Sequence, residues 1–157
     1  NNFNPEKTVV LAPDIGSAKM SQSYAKTLGM HFALIEKRRF APNQAEVNHL
    51  IGNLDSLDVL IIDDMVDTAG TTVSAADAAI AKGANSVTVV ATHGVLSGPA
   101  IQRLNESVID KLIVTDTILI PEEKQIEKIE TVSAAGLFAE AISRVHDGES
   151  LSALFEF

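Results

Sequence analysis

Residues 58–83 read Asp-Val-Leu-Ile-Ile-Asp-Asp-Met-Val-Asp-Thr-Ala-Gly-Thr-Thr-Val-Ser-Ala-Ala-Asp-Ala-Ala-Ile-Ala-Lys-Gly. Val59, Leu60, Ile61 and Ile62 form an unbroken apolar run with no polar alternation, the pattern of a strand buried on both faces. Asp63 and Asp64 close that run. Residues 72–82 are rich in alanine and predict a helix, which Gly83 stops. Working outward, residues 8–13 and 32–36 read as further buried strands, with a helix over 17–28 that ends at Gly29. Residues 37–44, containing Pro42-Asn43, read as a loop, and 47–52 is open between loop and short strand. Downstream come a strand over 86–92, a short helix over 99–105, a strand over 111–115, an edge strand within 126–132 and a helix over 134–146.

Apolar strands separated by helices imply parallel βαβ units with right-handed crossovers. The expectation is an α/β fold, a three-layer domain with a mostly parallel central sheet. A single domain spans residues 1–157, with 149–157 as a tail. Such sheets take ligands at the carboxyl ends of their strands, close to a switch in strand order. The residues that follow each strand are therefore the ones to read for chemistry.

Composition bounds the chemistry. The chain has 157 residues, 46% of them hydrophobic, with six Phe, one Tyr and no Trp, so its core is aliphatic. A formal charge of −9 argues against nucleic acid and against anionic membrane surfaces as main partners. The absence of cysteine excludes disulfide scaffolds, thiol nucleophiles and thiolate-bound metals within this sequence. Its apolar runs fall far short of the ~20 residues of a membrane span. The opening Asn-Asn-Phe-Asn-Pro-Glu-Lys has no secretory pattern, which leads to the expectation of a cytoplasmic protein.

The segment after the strand at 58–63 carries the strongest chemical signal. In Asp67, Thr68, Ala69, Gly70, Thr71 and Thr72, a glycine permits close approach of an anion. Backbone N–H groups and threonine hydroxyls donate to it, and the helix that follows adds positive potential. That is a phosphate cradle. The paired Asp63 and Asp64 suit sugar hydroxyls or a hydrated Mg²⁺. Phosphate and diol together describe a ribose phosphate. Lys37, Arg38 and Arg39 form the one triple cation in an acidic chain, placed after a strand, where arginine offers a bidentate fork for phosphate. Asp14, between Pro13 and Gly16, is either a turn former or a ligand. The four histidines, His31, His49, His93 and His146, show no metal-ligand spacing. His93, before Gly94, is either a pocket residue or a loop residue, and His146 faces a helix end.

The stretch Asp63-Asp-Met-Val-Asp-Thr-Ala-Gly-Thr71 resembles the phosphoribosyl-diphosphate motif of the phosphoribosyltransferase fold. With Pro13-Asp-Ile-Gly16, Lys37-Arg-Arg39, Ala91-Thr-His-Gly-Val-Leu-Ser-Gly-Pro99, Ser107-Val-Ile-Asp110, Thr115-Asp-Thr117 and Gly148-Glu-Ser150 in this order, the chain resembles the C-terminal half of the ribose-phosphate diphosphokinases. The resemblance implies transfer of diphosphate from ATP to ribose 5-phosphate, giving PRPP and AMP, with Mg²⁺ as cofactor. It implies that Lys37 and Arg39 are catalytic. It also implies that Asp63, Asp64 and the loop from Asp67 to Thr72 hold ribose 5-phosphate, and that Asp14 helps hold the metal. Ser150 and Ser152 fall at an effector site for phosphate or ADP, the tail docks on the missing N-terminal half or a partner, and the parent is a homo-oligomer. The isolated chain, without the half that contacts ATP, is expected to be inactive. The sequence departs from the family pattern in two places. No arginine follows Pro13-Asp-Ile-Gly16 within residues 17–23, and Phe40-Ala41 separates Arg39 from Pro42. A non-catalytic regulatory relative and a nucleobase phosphoribosyltransferase remain as alternatives, the latter without an evident segment for recognising a base.

Overall fold

The computed structural model describes residues 3–38 and 47–155. Seven strands form one sheet: β1 (Thr8–Ala12), β2 (His31–Arg38), β3 (Val47–Ile51), β4 (Asp58–Val66), β5 (Ser86–Gly94), β6 (Lys111–Thr115) and β7 (Ile129–Val132). Their order is β3-β2-β1-β4-β5-β6-β7. Every pairing is parallel except β2 with β3. Four helices connect them: α1 (Ala18–Leu28), α2 (Gly70–Ala81), α3 (Ala100–Glu106) and α4 (Ala135–His146). This is the expected α/β architecture with a mostly parallel sheet.

Alternation along the strands sorts the core. Val9, Leu11, Val59, Ile61, Val87 and Val89 pack with Ala75, Ala76 and Ala79 of α2 and with Ala100 and Leu104 of α3. Val10, Leu60 and Ile62 face the other way, onto Ala25 and Met20 of α1. Three alanines on one side of α2 bring that helix close to the sheet, and this closeness sets where its N-terminus lies. Helix α1 stops at Gly29, which takes the left-handed conformation at φ 65° with its N–H turned back onto the last turn.

Chain order in the sheet reverses at β1. From β1 the chain first moves outward through β2 and β3, then returns to place β4 on the other side of β1. The adjacent carboxyl ends of β1 and β4 are therefore the crevice where ligands bind such sheets.

Three elements differ from the sequence reading. Strand β2 does not end at Glu36 but continues to Arg38, because the edge strand β3 pairs with it (Lys37 with Asn48, Arg38 with Val47). The charged residues at its end hide a strand whose pairing is supplied by a segment further along the chain. Strand β4 runs through the acidic pair to Val66, because β5 continues beside it as far as Gly94. Val66 then returns to the core at 1% exposure. Helix α2 begins at Gly70 rather than Thr72, since Ala69 in the left-handed conformation turns the chain directly into it.

Candidate functional site

A cleft of about 360 Å³ at the β1–β4 crevice is lined by Asp14, Asp63, Asp64, Met65, Asp67, Thr68, Ala69, Gly70, Thr71 and Thr72. The structure thus brings together all of the expected sugar-phosphate residues and the expected metal residue, from the loop after β1, the end of β4 and the start of α2. Lys37 lies in β2, near its far end. Arg39 lies outside the described residues. Ser150 and Ser152 sit beyond α4, are exposed, and do not line this cleft. There the Ser152 N–H donates to Ser150 Oγ at 3.1 Å, and Arg144 Nη1 to the Ser150 carbonyl at 3.4 Å.

The floor of the cleft is a helix start left open to a ligand. Helix α2 has no side-chain cap at its N-terminus. The carbonyl of Ala69 accepts the first intrahelical bond, from the Val73 N–H at 3.0 Å. The amides before Val73 have no intrahelical acceptor, as in any helix. Ala69 itself has φ 60° and ψ 7°, a conformation that costs a non-glycine residue about 1–2 kcal/mol. It is buried at 3% exposure, so surrounding contacts hold it there. An uncapped helix N-terminus preceded by a buried left-handed turn presents amide donors of the kind that suit an anion.

The loop is fastened from behind. The N–H groups of Val95 and Leu96 both donate to the Val66 carbonyl at 3.0 Å, and the Ser97 N–H donates to the Asp67 carbonyl at 3.0 Å. Ser97 Oγ donates to Asp67 Oδ1 in a short contact. Residues 95–97 thus hold this loop in place. Two participants gave no sequence signal of their own: Ser97, as the side-chain partner of Asp67, and Arg103, whose Nη1 donates to the Thr68 carbonyl at 2.9 Å.

The wall of the cleft is acidic. Asp63 is half-buried, and its pKa is pushed up to about 6, chiefly by burial, with the nearby charges of Asp64 and Asp14 adding to the effect. The Asp64 N–H donates to Asp63 Oδ1 at 2.9 Å, which opposes the rise without cancelling it. Asp14 is a turn former and also lines the crevice. Its Oδ1 accepts from the Ser17 N–H at 2.9 Å, closing a turn, while its carboxylate also faces a small cavity shared with Asp63 and Asp64.

Asp14, Asp63 and Asp64 share one small cavity. Asp14, Asp63 and Asp64 offer the oxygen donors that Mg²⁺ prefers. Among the described residues no group of three His, Cys, Asp or Glu is placed to hold one ion by protein ligands alone.

His93 is tied into the sheet end instead of the cleft. Its Nδ1 lies 2.8 Å from Thr117 Oγ1, and Thr115 and Thr117 both donate to the Thr92 carbonyl, at 2.7 and 3.1 Å. His146 occupies the last turn of α4, where a cation suits the helix dipole. No helix among the described residues is long and apolar enough to cross a membrane.

Residues 39–156 match the family described as the phosphoribosyl synthetase-associated domain. The chain belongs to this family. It is 49% identical over 150 residues to the ribose-phosphate pyrophosphokinase of Caldanaerobacter subterraneus subsp. tengcongensis, a match covering 96% of this chain and 48% of that protein. It is 45% identical over 152 residues to the ribose-phosphate pyrophosphokinase of Bacillus subtilis, covering 97% and 48%. The crystal structure of phosphoribosylpyrophosphate synthetase from Mycobacterium smegmatis superposes with a TM-score of 0.84 at 36% identity, over 91% of this chain and 46% of that one. The APRTase of Giardia lamblia, complexed with 9-deazaadenine, shares the fold at 15% identity and a TM-score of 0.53, over 82% of this chain and 70% of that one. The chain spans about half the length of the curated relatives it matches.

Proposed function

We propose that this chain is the ribose 5-phosphate-binding, C-terminal half of an enzyme that transfers diphosphate from ATP to ribose 5-phosphate. The observation that carries this reading is the uncapped N-terminus of α2, opening into a cleft whose wall holds Asp63 and Asp64. The 5-phosphate takes the amides and hydroxyls of Thr68, Ala69, Gly70, Thr71 and Thr72. The ribose hydroxyls donate to Asp63 and Asp64. Held this way, the sugar presents its C1 hydroxyl to the β-phosphorus of ATP. The new bond forms to that oxygen, the bond to the α-phosphate oxygen breaks, AMP departs, and the hydroxyl proton is released.

Phosphoryl-type transfer depends on position and charge neutralisation more than on covalent help from the protein. Lys37 and Arg39 supply cations for the transferring group. Asp14 would help hold Mg²⁺, which when bound would neutralise charge on the phosphate oxygens. ATP recognition belongs to the remaining half of the relatives' length. Helix α4 and the tail are the surface that meets that half or a second copy. The helix buries none of its residues, and Ile142 and Val145 are 68% and 66% exposed. The parent is then a homo-oligomer, with phosphate or ADP acting near Ser150 and Ser152.

The isolated chain is expected to bind ribose 5-phosphate in a calorimetric titration with Mg²⁺ present, with inorganic phosphate competing. It is expected to form no PRPP from ATP and ribose 5-phosphate. A flat titration overturns the site. Sustained Mg²⁺-dependent turnover by these 157 residues alone overturns the division of labour between halves. A full-length parent that binds the sugar phosphate yet never turns over favours a regulatory member of the family instead.

A further inference from the structure

Arg103 stands on the opposite side of the loop from the acidic wall. It lies on α3, where its own N–H donates to the Pro99 carbonyl at 3.0 Å. It borders a separate groove of about 610 Å³ between α2 and α3, lined also by Gly70, Ser74 and Asp77. It is not among the residues lining the sugar-phosphate cleft. From behind, its Nη1 donates to the Thr68 carbonyl at 2.9 Å. The same nitrogen lies 3.2 Å from where a Cβ on Gly70 would stand.

Peptide geometry converts that contact into an orientation. No cis peptide bond occurs among the described residues, and a trans peptide points its C=O and N–H in opposite directions. Pinning the Thr68 carbonyl toward α3 therefore turns the N–H of Ala69 away from α3, toward the cleft that Ala69 lines. A guanidinium on the carbonyl also polarises the peptide and strengthens that N–H as a donor. The geometry explains the glycine as well. Gly70 is not in a positive-φ conformation, so backbone freedom does not require it. A Cβ there would press on the guanidinium, which would have to give by a few tenths of an ångström.

Resting on the reading of this cleft as a ribose 5-phosphate site, we infer that Arg103 is a positioning residue: it locks the Thr68–Ala69 peptide so that the Ala69 N–H meets the phosphate, without touching the ligand itself. The test uses this chain, ribose 5-phosphate and inorganic phosphate, read by calorimetry and by backbone amide NMR. In the wild type, phosphate shifts the Ala69 and Gly70 amide protons downfield. In Arg103→Met the expected result is at least a ~10-fold loss of affinity for both ligands and disappearance of the Ala69 shift, with a cooperative melting transition retained. Arg103→Lys, which keeps a cation but not the planar fork, recovers part of the affinity. Wild-type affinity and an unchanged Ala69 shift in Arg103→Met overturn the inference while leaving the site reading in place. Absence of any titration in the wild type overturns the site reading and this inference with it.

Discussion

Replacing Asp63 and Asp64 together with asparagine is expected to reduce ribose 5-phosphate affinity by ~100-fold, because charged hydrogen bonds of about 1.5–3 kcal/mol each to sugar hydroxyls are weakened. Inorganic phosphate is expected to bind the double variant as well as the wild type or better, since two negative charges leave the cleft. The same exchange has the opposite effect on the empty fold. Burial raises the Asp63 pKa to about 6 from an ordinary 3.8, so the folded state holds its proton more tightly than the unfolded chain does. Between those two pH values the folded state binds more protons than the unfolded state, and stability falls as pH rises. The stabilising protonated form is fully present below pH ~4 and lost above pH ~6. Asparagine carries no such titration. Thermal melts of Asp63→Asn without ligand should therefore match the wild type near pH 4 and exceed it by several degrees near pH 8. A variant that loses sugar binding yet melts below the wild type at pH 8 would show that the carboxylate is structural. One that keeps sugar binding would remove the acidic pair from the site.

That trade between stability and binding was partly legible in the residues themselves. An apolar run ending in two carboxylates is costly to the fold unless a ligand or cation uses it, and Val59, Leu60, Ile61 and Ile62 announced the strand by being buried on both faces. Gly70 and the threonines around it marked the anion site through loop chemistry that depends only on neighbouring residues. What stayed hidden depended on distant partners. Lys37 and Arg38 belong to β2 only because Asn48 and Val47 return to pair with them. Asp63 and Asp64 lie within a strand, not at its end, because β5 continues beside them to Gly94. The left-handed Ala69 moves the helix start forward, yet alanine carries no signal for that conformation. Arg103 was the least legible of all. Its partner is a backbone carbonyl 35 positions earlier, which any residue in place of Thr68 would also provide.

The catalytic role proposed for Lys37 carries the second large expected effect. Leu34 of β2 pairs with Ala12, the last residue of β1, and Asp14 follows two residues later. At ~3.3 Å per strand residue, Lys37 stands about 10 Å beyond that pairing, at the same end of the sheet as Asp14 and Asp63. Pairing of Lys37 with Asn48 of β3 extends the hairpin above the carboxyl ends of the parallel strands. On the proposed placement of the sugar phosphate at α2, a cation carried there would serve charge that develops on the transferring group and add little to holding ribose 5-phosphate. In an enzyme made of this chain and the other half of the relatives' length, Lys37→Ala is therefore expected to lower kcat by ~10²–10³, the effect of one preorganised electrostatic contact worth about 3–4 kcal/mol. KM for ribose 5-phosphate should change less than about threefold, because an interaction confined to the transition state leaves ground-state binding alone. Lys37→Arg should retain part of the rate, as charge is kept and geometry is not. Steady-state kinetics over a range of both substrates separates the cases. A rise in KM with kcat preserved would make Lys37 a ground-state contact and leave Arg39 as the cation that meets the transition state.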